Sequence, residues 1–598
     1  MESKVLKKRG EIQEKDKWAV NEIYSCDEEW EREYKELQEE APKLKSFEGK
    51  LGDAKVLEEY FEVNEKTSRK AEKIYVYAHL RSDEDTSNTT YQAMMNKIDA
   101  YMAEYATYTA YVVPEILALP DGTIEKLMNE NKGLELYKFL IENILKEKPH
   151  VLDKKEEELL AAASDCLDAP SSIHNIMTNA DMKFGNIKDE DGEEVELTEG
   201  NYSSFIKSKD RNVRKAAFER LFGEYKSFEN TLATTLSSSI KVFNFGAKIR
   251  NYNSALEASL KPNDIPTEVY TNAVKTINDN LSSLHRYVKL KKKLLGLEEM
   301  HMYDLYVPVI EVPKERVEFD KAVEMAVEGL NPLGKEYLDI FQGGINGGWI
   351  DKYINKGKRG GAYSWGGYDT KPYVLLNYNY ELNDVSTLVH EMGHSIHSYY
   401  SRKEQSYYYA GYTLFCAEVA STTNEALLIH HLINKETDKK KKLYLINQEL
   451  EQIRTTVFRQ LMFAEFELYT HESFEKGLPL TAQDYNAKWH ELNVKYFGPD
   501  MVVDSDIDVE WSRIPHFYSD FYVYQYATGY AAASAFANSI LNGEKDAVEK
   551  YVGFLKSGGS DYPIEILKKA GVDMTTSKPL EATINRFNEL LDMLEKEI

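Results

Sequence analysis

Residues 388–400 read LVHEMGHSIHSYY, and within them His390-Glu391-Met392-Gly393-His394 forms a His-Glu-x-x-His motif. Two histidines four apart on an α-helix differ by about 40° in direction and one turn in height, so both imidazoles reach one metal ion. Glu391 then lies beside that ion, where it can take a proton from a water that the metal has acidified and pass it to a leaving amine. The flanks also read as helix: Asn383 or Asp384 is placed to cap the N-terminus, and Val385, Leu388, Val389, Met392 and Ile396 form one apolar stripe. At about 100° per residue, that stripe points nearly opposite to His390 and His394, which therefore face a cleft rather than the core.

A catalytic zinc usually takes three protein ligands and leaves one position open. Downstream, LFCAEVASTTNEALLIHHLI reads as a second helix, and Glu418 stands 24 residues after His394 among the small or apolar Cys416, Ala417, Val419 and Ala420. Such surroundings favour pairing of the carboxylate over free solvation. Glu425 follows on the same face about two turns later, placed to orient a ligand histidine through its second ring nitrogen. His397 reads as cleft-lining or structural, His430 and His431 as structural, and His471-Glu472 as a decoy that lacks the second histidine.

The rest of the chain frames this constellation. Its 598 residues allow several domains, and 42% hydrophobic with 29% charged residues is the composition of a globular protein. A net charge of −26 with no basic stripe argues against nucleic-acid or membrane partners, and favours solubility and the gathering of cations. Cys26, Cys166 and Cys416 form no CxxC pair, and MESKVLKKRGEIQEKDKW at the N-terminus is followed by no apolar run, so the cytoplasm is the expected setting. Residues 27–180 read as successive amphipathic helices, and KFGNIKDEDGEEVELTEGNY at 183–202 reads as a hairpin around Asp191-Gly192. A domain boundary is placed there, giving a helical domain over 1–200 and a mostly helical second domain over 201–598. The second is interrupted at 341–370, which holds nine glycines, and then by the strand-like PYVLLNYNY at 372–380. The expected fold is mainly α with a small sheet.

With these residues in hand, the chain resembles the oligoendopeptidase F family of zinc metallopeptidases, relatives of thimet oligopeptidase. The likeness runs in order through KWAVNEIYSCDEEWE near the start, HMYDLYVP at 301–308, GKRGGAYSWGGYDTKPYVLLNY at 357–378, the motif at 390–394, AEVAS at 417–421 and FRQLMFAEFE at 458–467. The resemblance implies a helical protein divided by a deep substrate channel, one zinc ion and short peptides as substrates. It makes His390, His394 and Glu418 the metal ligands and Glu391 the general base, and residues 201–598 the catalytic domain. It also brings a late segment, PHFYSDFYVYQYATGYAAA, to the reacting carbonyl, with His516 and Tyr522 as catalytic donors to an oxyanion and Tyr526 and Tyr530 as lesser candidates. Thimet-like relatives are expected to carry two tyrosines seven apart, whereas seven beyond Tyr522 stands Gly529. The implied activity is cleavage of internal peptide bonds. A carboxypeptidase or dipeptide-releasing enzyme would use the same chemistry, and a peptide-binding scaffold would need no general base.

Overall fold

The Glu-, Lys-, Leu- and Tyr-rich beginning of the chain forms long helices with buried faces, as its 3.6-residue periodicity requires. The structure is a computed structural model and describes residues 6–310 and 315–597; the first five residues of the N-terminal stretch read above lie outside it. Helices take up 72% of the described residues, so the fold is mainly α. Among the described residues, no helix is long and apolar enough to cross a membrane. Contacts divide the chain into two interleaved units, Met1–Lys148 with Lys314–His431 and Phe536–Gly571, and Pro149–Pro313 with Leu432–Ala535 and Val572–Ile598.

In the first unit, the 31-residue helix Ala54–Glu84 starts at Asp53, whose carboxylate accepts from the N–H groups of Lys55 and Val56. It packs against Asp27–Glu40 and Thr89–Thr107, burying Leu57, Tyr60, Phe61, Ile74 and Tyr77. The glycine-rich stretch begins later than expected, since 341–346 still belong to the helix Gly334–Asn346; beyond it come strand β1 (Ile350–Tyr353), a loop and strand β2 (Tyr363–Trp365), and the apolar run becomes β3 (Tyr373–Tyr378). β3 is central, parallel to β1 and antiparallel to β2, which explains why Tyr373 to Leu376 are all buried.

The second unit holds the hairpin, with Asn186–Lys188 antiparallel to Glu194–Glu196 and Gly192 at φ +83° in its turn. Its core is aromatic: Trp489 and Trp511 are 0% and 1% exposed, and the Tyr485 ring packs tilted at 4.8 Å from Trp511. The helix α3 (Arg459–Glu475) runs through this core and buries Leu461, Phe463, Phe466, Glu467 and His471.

One buried ionic cluster ties the sheet together. Asp351 of β1 lies 2.7 Å from Lys358 Nζ and 2.5 Å from Arg9 Nη2 and is fully buried. Burial alone would raise its carboxyl, but the two cations hold it below the usual range. Lys358 also donates to the carbonyls of Tyr353 at 2.8 Å and Leu376 at 2.6 Å, so one ammonium bridges β1 and β3. Removing it leaves two buried carbonyls and part of a charge unmatched. Lys358→Met is expected to lower stability by about 3–5 kcal/mol in urea melts, and adding Asp351→Asn to recover part of the loss. An unchanged midpoint for the single variant would show that the ammonium is dispensable.

Candidate metal centre

Three residues beyond β3 the chain enters α1 (Leu382–Glu404), which carries the motif. Its N-cap is Glu381, not Asn383 or Asp384. Asp384 sits one turn inside and reaches back to the N–H groups of Glu381 at 2.9 Å and Asn379 at 2.8 Å. This is the returning half of a capping box, which the sequence signals equally with the cap itself. Val385, Leu388, Val389, Met392 and Ile396 are all 0% exposed, as the stripe requires. α1 packs against β2, β3 and the helices Phe319–Leu330 and Ala547–Ser557.

The helix α2 (Leu414–Lys435) meets α1 at Gly393. A β-carbon there would lie 2.6 Å from Ser421 Cα and 3.0 Å from Ala420 O, so the two backbones touch and only glycine fits. Asn424, fully buried, locks the crossing: its amide donates to Val389 O at 3.0 Å, and its carbonyl accepts from Tyr337 OH at 2.8 Å. The sequence reading missed both residues. The signal for Gly393 was a glycine in the interior of a predicted helix, a position that weakens a helix unless another backbone approaches closely.

This crossing brings three donor atoms together. His390 Nε2 and His394 Nε2 are 3.3 Å apart, and Glu418 Oε2 is 3.5 Å from each. Ligand bonds of about 2.0–2.2 Å at near-tetrahedral angles place donors roughly 3.3–3.5 Å apart, so the triangle has the size of a zinc-type site. Among the described residues it is the one group of this kind. Glu425 Oε2 lies 3.3 Å from His390 Nδ1, the nitrogen that faces away from the triangle, and so fixes the ring's orientation. Ser421 Oγ donates to Glu418 Oε2 at 3.1 Å. The Glu418 side chain is 43% exposed, more open than its apolar neighbours led us to expect.

The electrostatics fit a cation site. Burial disfavours a charged His390, yet Glu425, Glu391 and Glu418 raise its pKa to about 9. Burial would raise Glu418, but His394 and His390 pull it down to about 2. Glu391, 7% exposed, is pushed above the usual carboxylate range by burial. His397 is fully enclosed, stacks on Tyr412 at 3.7 Å and is held neutral by burial, with a pKa of about 3, so it is structural. His431 pairs with Glu328 at 3.4 Å, and His471 lies in the core of the second unit.

The late segment belongs to the second unit. There His516 stacks beside Tyr522 at 5.9 Å, and its Nε2 lies 3.3 Å from Tyr526 OH. Burial lowers the His516 pKa, favouring the neutral ring. Tyr524 is buried against Tyr270, and Tyr530 is 7% exposed.

Residues 204–586 match the profile of peptidase family M3, and residues 115–184 match that of oligopeptidase F. The chain is 48% identical over 592 residues to oligopeptidase PepF of Bacillus subtilis (strain 168), covering 99% of this chain and 88% of that protein. It is 42% identical to group B oligopeptidase PepB of Streptococcus agalactiae, with 98% of each chain covered. The crystal structure of oligoendopeptidase-F from Enterococcus faecium superposes with a TM-score of 0.74 at 41% identity, covering 96% of this chain and 99% of that one.

The helix crossing yields a direct test. Gly393→Val, whose side chain would overlap the Ser421 backbone, is expected to move Glu418 off the histidine pair and weaken metal retention by about tenfold or more, of the order seen when supporting residues of metal sites are changed. Metal analysis after dialysis reads this, and full retention would show that the crossing does not set the triangle.

Proposed function

We propose, from the premise that the chain belongs to peptidase family M3 and is a metallopeptidase, that it cuts internal bonds of short oligopeptides using one zinc ion held by His390, His394 and Glu418. The observation that carries this reading is the triangle of two imidazole nitrogens and one carboxylate oxygen, with its 3.3 and 3.5 Å edges. An ion bound there supplies Lewis acidity, which polarises the peptide carbonyl and makes water easier to deprotonate. Glu391 takes the proton from the attacking water and delivers it to the leaving amine; its raised pKa suits both transfers. Glu425 keeps the His390 ring turned toward the site. His516 and Tyr522 donate hydrogen bonds to the carbonyl oxygen as charge develops on it, with Tyr526 and Tyr530 as lesser contributors.

Residues 201–598 form the catalytic domain on this reading, which the extent of the family match supports, and residues 1–200 the helical N-terminal domain. Three free cysteines support a reducing, cytoplasmic setting. The β2 strand is an edge of its sheet, and the preceding Gly360 and Gly361 have open space where a side chain would stand. An extended peptide can add to such an edge as a further strand.

Two measurements test these roles. Glu391→Gln is expected to keep its metal and its KM while turnover of an internally quenched peptide falls by about 10²–10⁴-fold; near-normal turnover would remove Glu391 from the mechanism. Gly361, at φ +83°, tolerates a β-branched residue poorly, so Gly361→Val should distort the edge and raise KM several-fold with kcat little changed. An unaltered KM would rule out strand addition at this edge.

A further inference from the structure

Phe521 holds a backbone conformation that a bulky residue rarely adopts, with φ +57°, immediately before Tyr522. Of the described non-glycine residues at positive φ, three are Asn or Asp, which tolerate it; Phe521 and Tyr380 are aromatic. Strained backbone of this kind persists only where the surroundings over-determine it, and it clusters at functional sites.

What holds the turn is visible on α3. Phe521 N–H, buried, donates to Glu467 Oε1 at 2.7 Å. Glu467 is 2% exposed, and its other oxygen accepts from Tyr270 OH at 3.4 Å. No Lys or Arg pairs with it among the contacts described; its partners are a backbone amide and a phenol. A buried carboxyl without a cation is costly where an apolar side chain would pack well. The one need it meets here is that of the Phe521 amide, which has left the regular hydrogen-bond pattern. One turn further along α3, His471 Nε2 faces Asp520 Oδ1 at 3.2 Å as an ion-pair contact without hydrogen-bond geometry, its ring packs 4.5 Å from the Phe521 ring, and its Nδ1 lies 2.8 Å from Asn244 Oδ1. Ser259 Oγ donates to Asp520 O at 3.1 Å from another side. The turn is thus gripped at both of its residues. It feeds directly into Tyr522, whose N–H bonds to Ser519 O, and into α4 (Tyr524–Leu541), which carries Tyr526.

We propose that Glu467 and His471 are positioning residues for the reaction: they hold the Asp520–Phe521 turn in its left-handed form, and so fix the direction in which Tyr522, stacked with His516, is offered to the peptide. This rests on the reading of His516 and Tyr522 given above. Neither residue touches substrate. Each acts through the turn, and the pair gives a role to a histidine that has no place in the metal triangle.

The test uses the full chain with 3-fluorotyrosine placed at position 522, so that one ¹⁹F resonance reports that ring, alongside kcat and KM on a quenched peptide. In Glu467→Leu the amide loses its acceptor, and the resonance should shift while kcat falls about 10–100-fold with KM within about twofold, the size expected of a misplaced group. Glu467→Gln keeps an acceptor oxygen and should return both to near wild type. Should the leucine variant not fold, His471→Phe keeps a ring against Phe521 but loses the atom facing Asp520, and should shift the resonance with a smaller loss of kcat. A resonance unmoved in the folded variants would overturn the proposal. A moved resonance with unchanged kcat would overturn the catalytic reading of Tyr522 and leave the tether standing.

Discussion

At Gly393 the α-carbon of one helix faces the Ser421 backbone of another with no room for a methyl group. Everything chemical in the first unit follows from this contact. Two histidines four apart on α1 supply a pair of nitrogens at one height range, but a pair cannot by itself make a three-ligand site. The third donor must come from a neighbouring helix, and a carboxylate on a short side chain reaches only if the backbones nearly touch. Asn424 then fixes rotation about the contact through Val389 and Tyr337. The site is therefore built on helices locked by packing, which place ligands more closely than loops do.

Charge is arranged around the same geometry. Glu391, Glu418 and Glu425 surround two imidazoles, and their combined pull raises His390 to about 9. That pull is the one a divalent cation would feel. Two of these carboxylates part by environment: Glu418 is pulled low by the histidines it faces, whereas burial pushes Glu391 upward. The ligand and proton-carrier roles proposed above call for such a division. In the second unit a different device recurs, with a strained aromatic residue, Phe521, held by a buried carboxyl.

Much of this was legible in the chain itself. The motif spacing, the apolar stripe, the hairpin around Asp191-Gly192 and the strand at 373–378 all rest on local periodicity and turn chemistry, and the structure has each of them. Glu418 was legible as a carboxylate on a following helix among small and apolar neighbours, although its side chain is more open than those neighbours implied. The N-cap was not: Glu381, Asn383 and Asp384 are all able to cap, and only the folded path from β3 into α1 selects Glu381. Nor were the roles of Asn424, Lys358 and Glu467, since each bonds to residues 18 or more positions away in sequence, or to a backbone whose conformation the sequence does not announce.

The sequence by itself determined the helical character of the chain and the two-histidine motif, which follow from residue spacing along single helices, and offered a carboxylate on a following helix to complete it. The tertiary structure decided how closely Glu418 approaches the two histidines, 3.5 Å from each, which carboxylate is shut away from water, and which turn is held against its own preference. Those depend on how closely two backbones approach and on what is shut away from water, quantities that exist only once distant segments have packed.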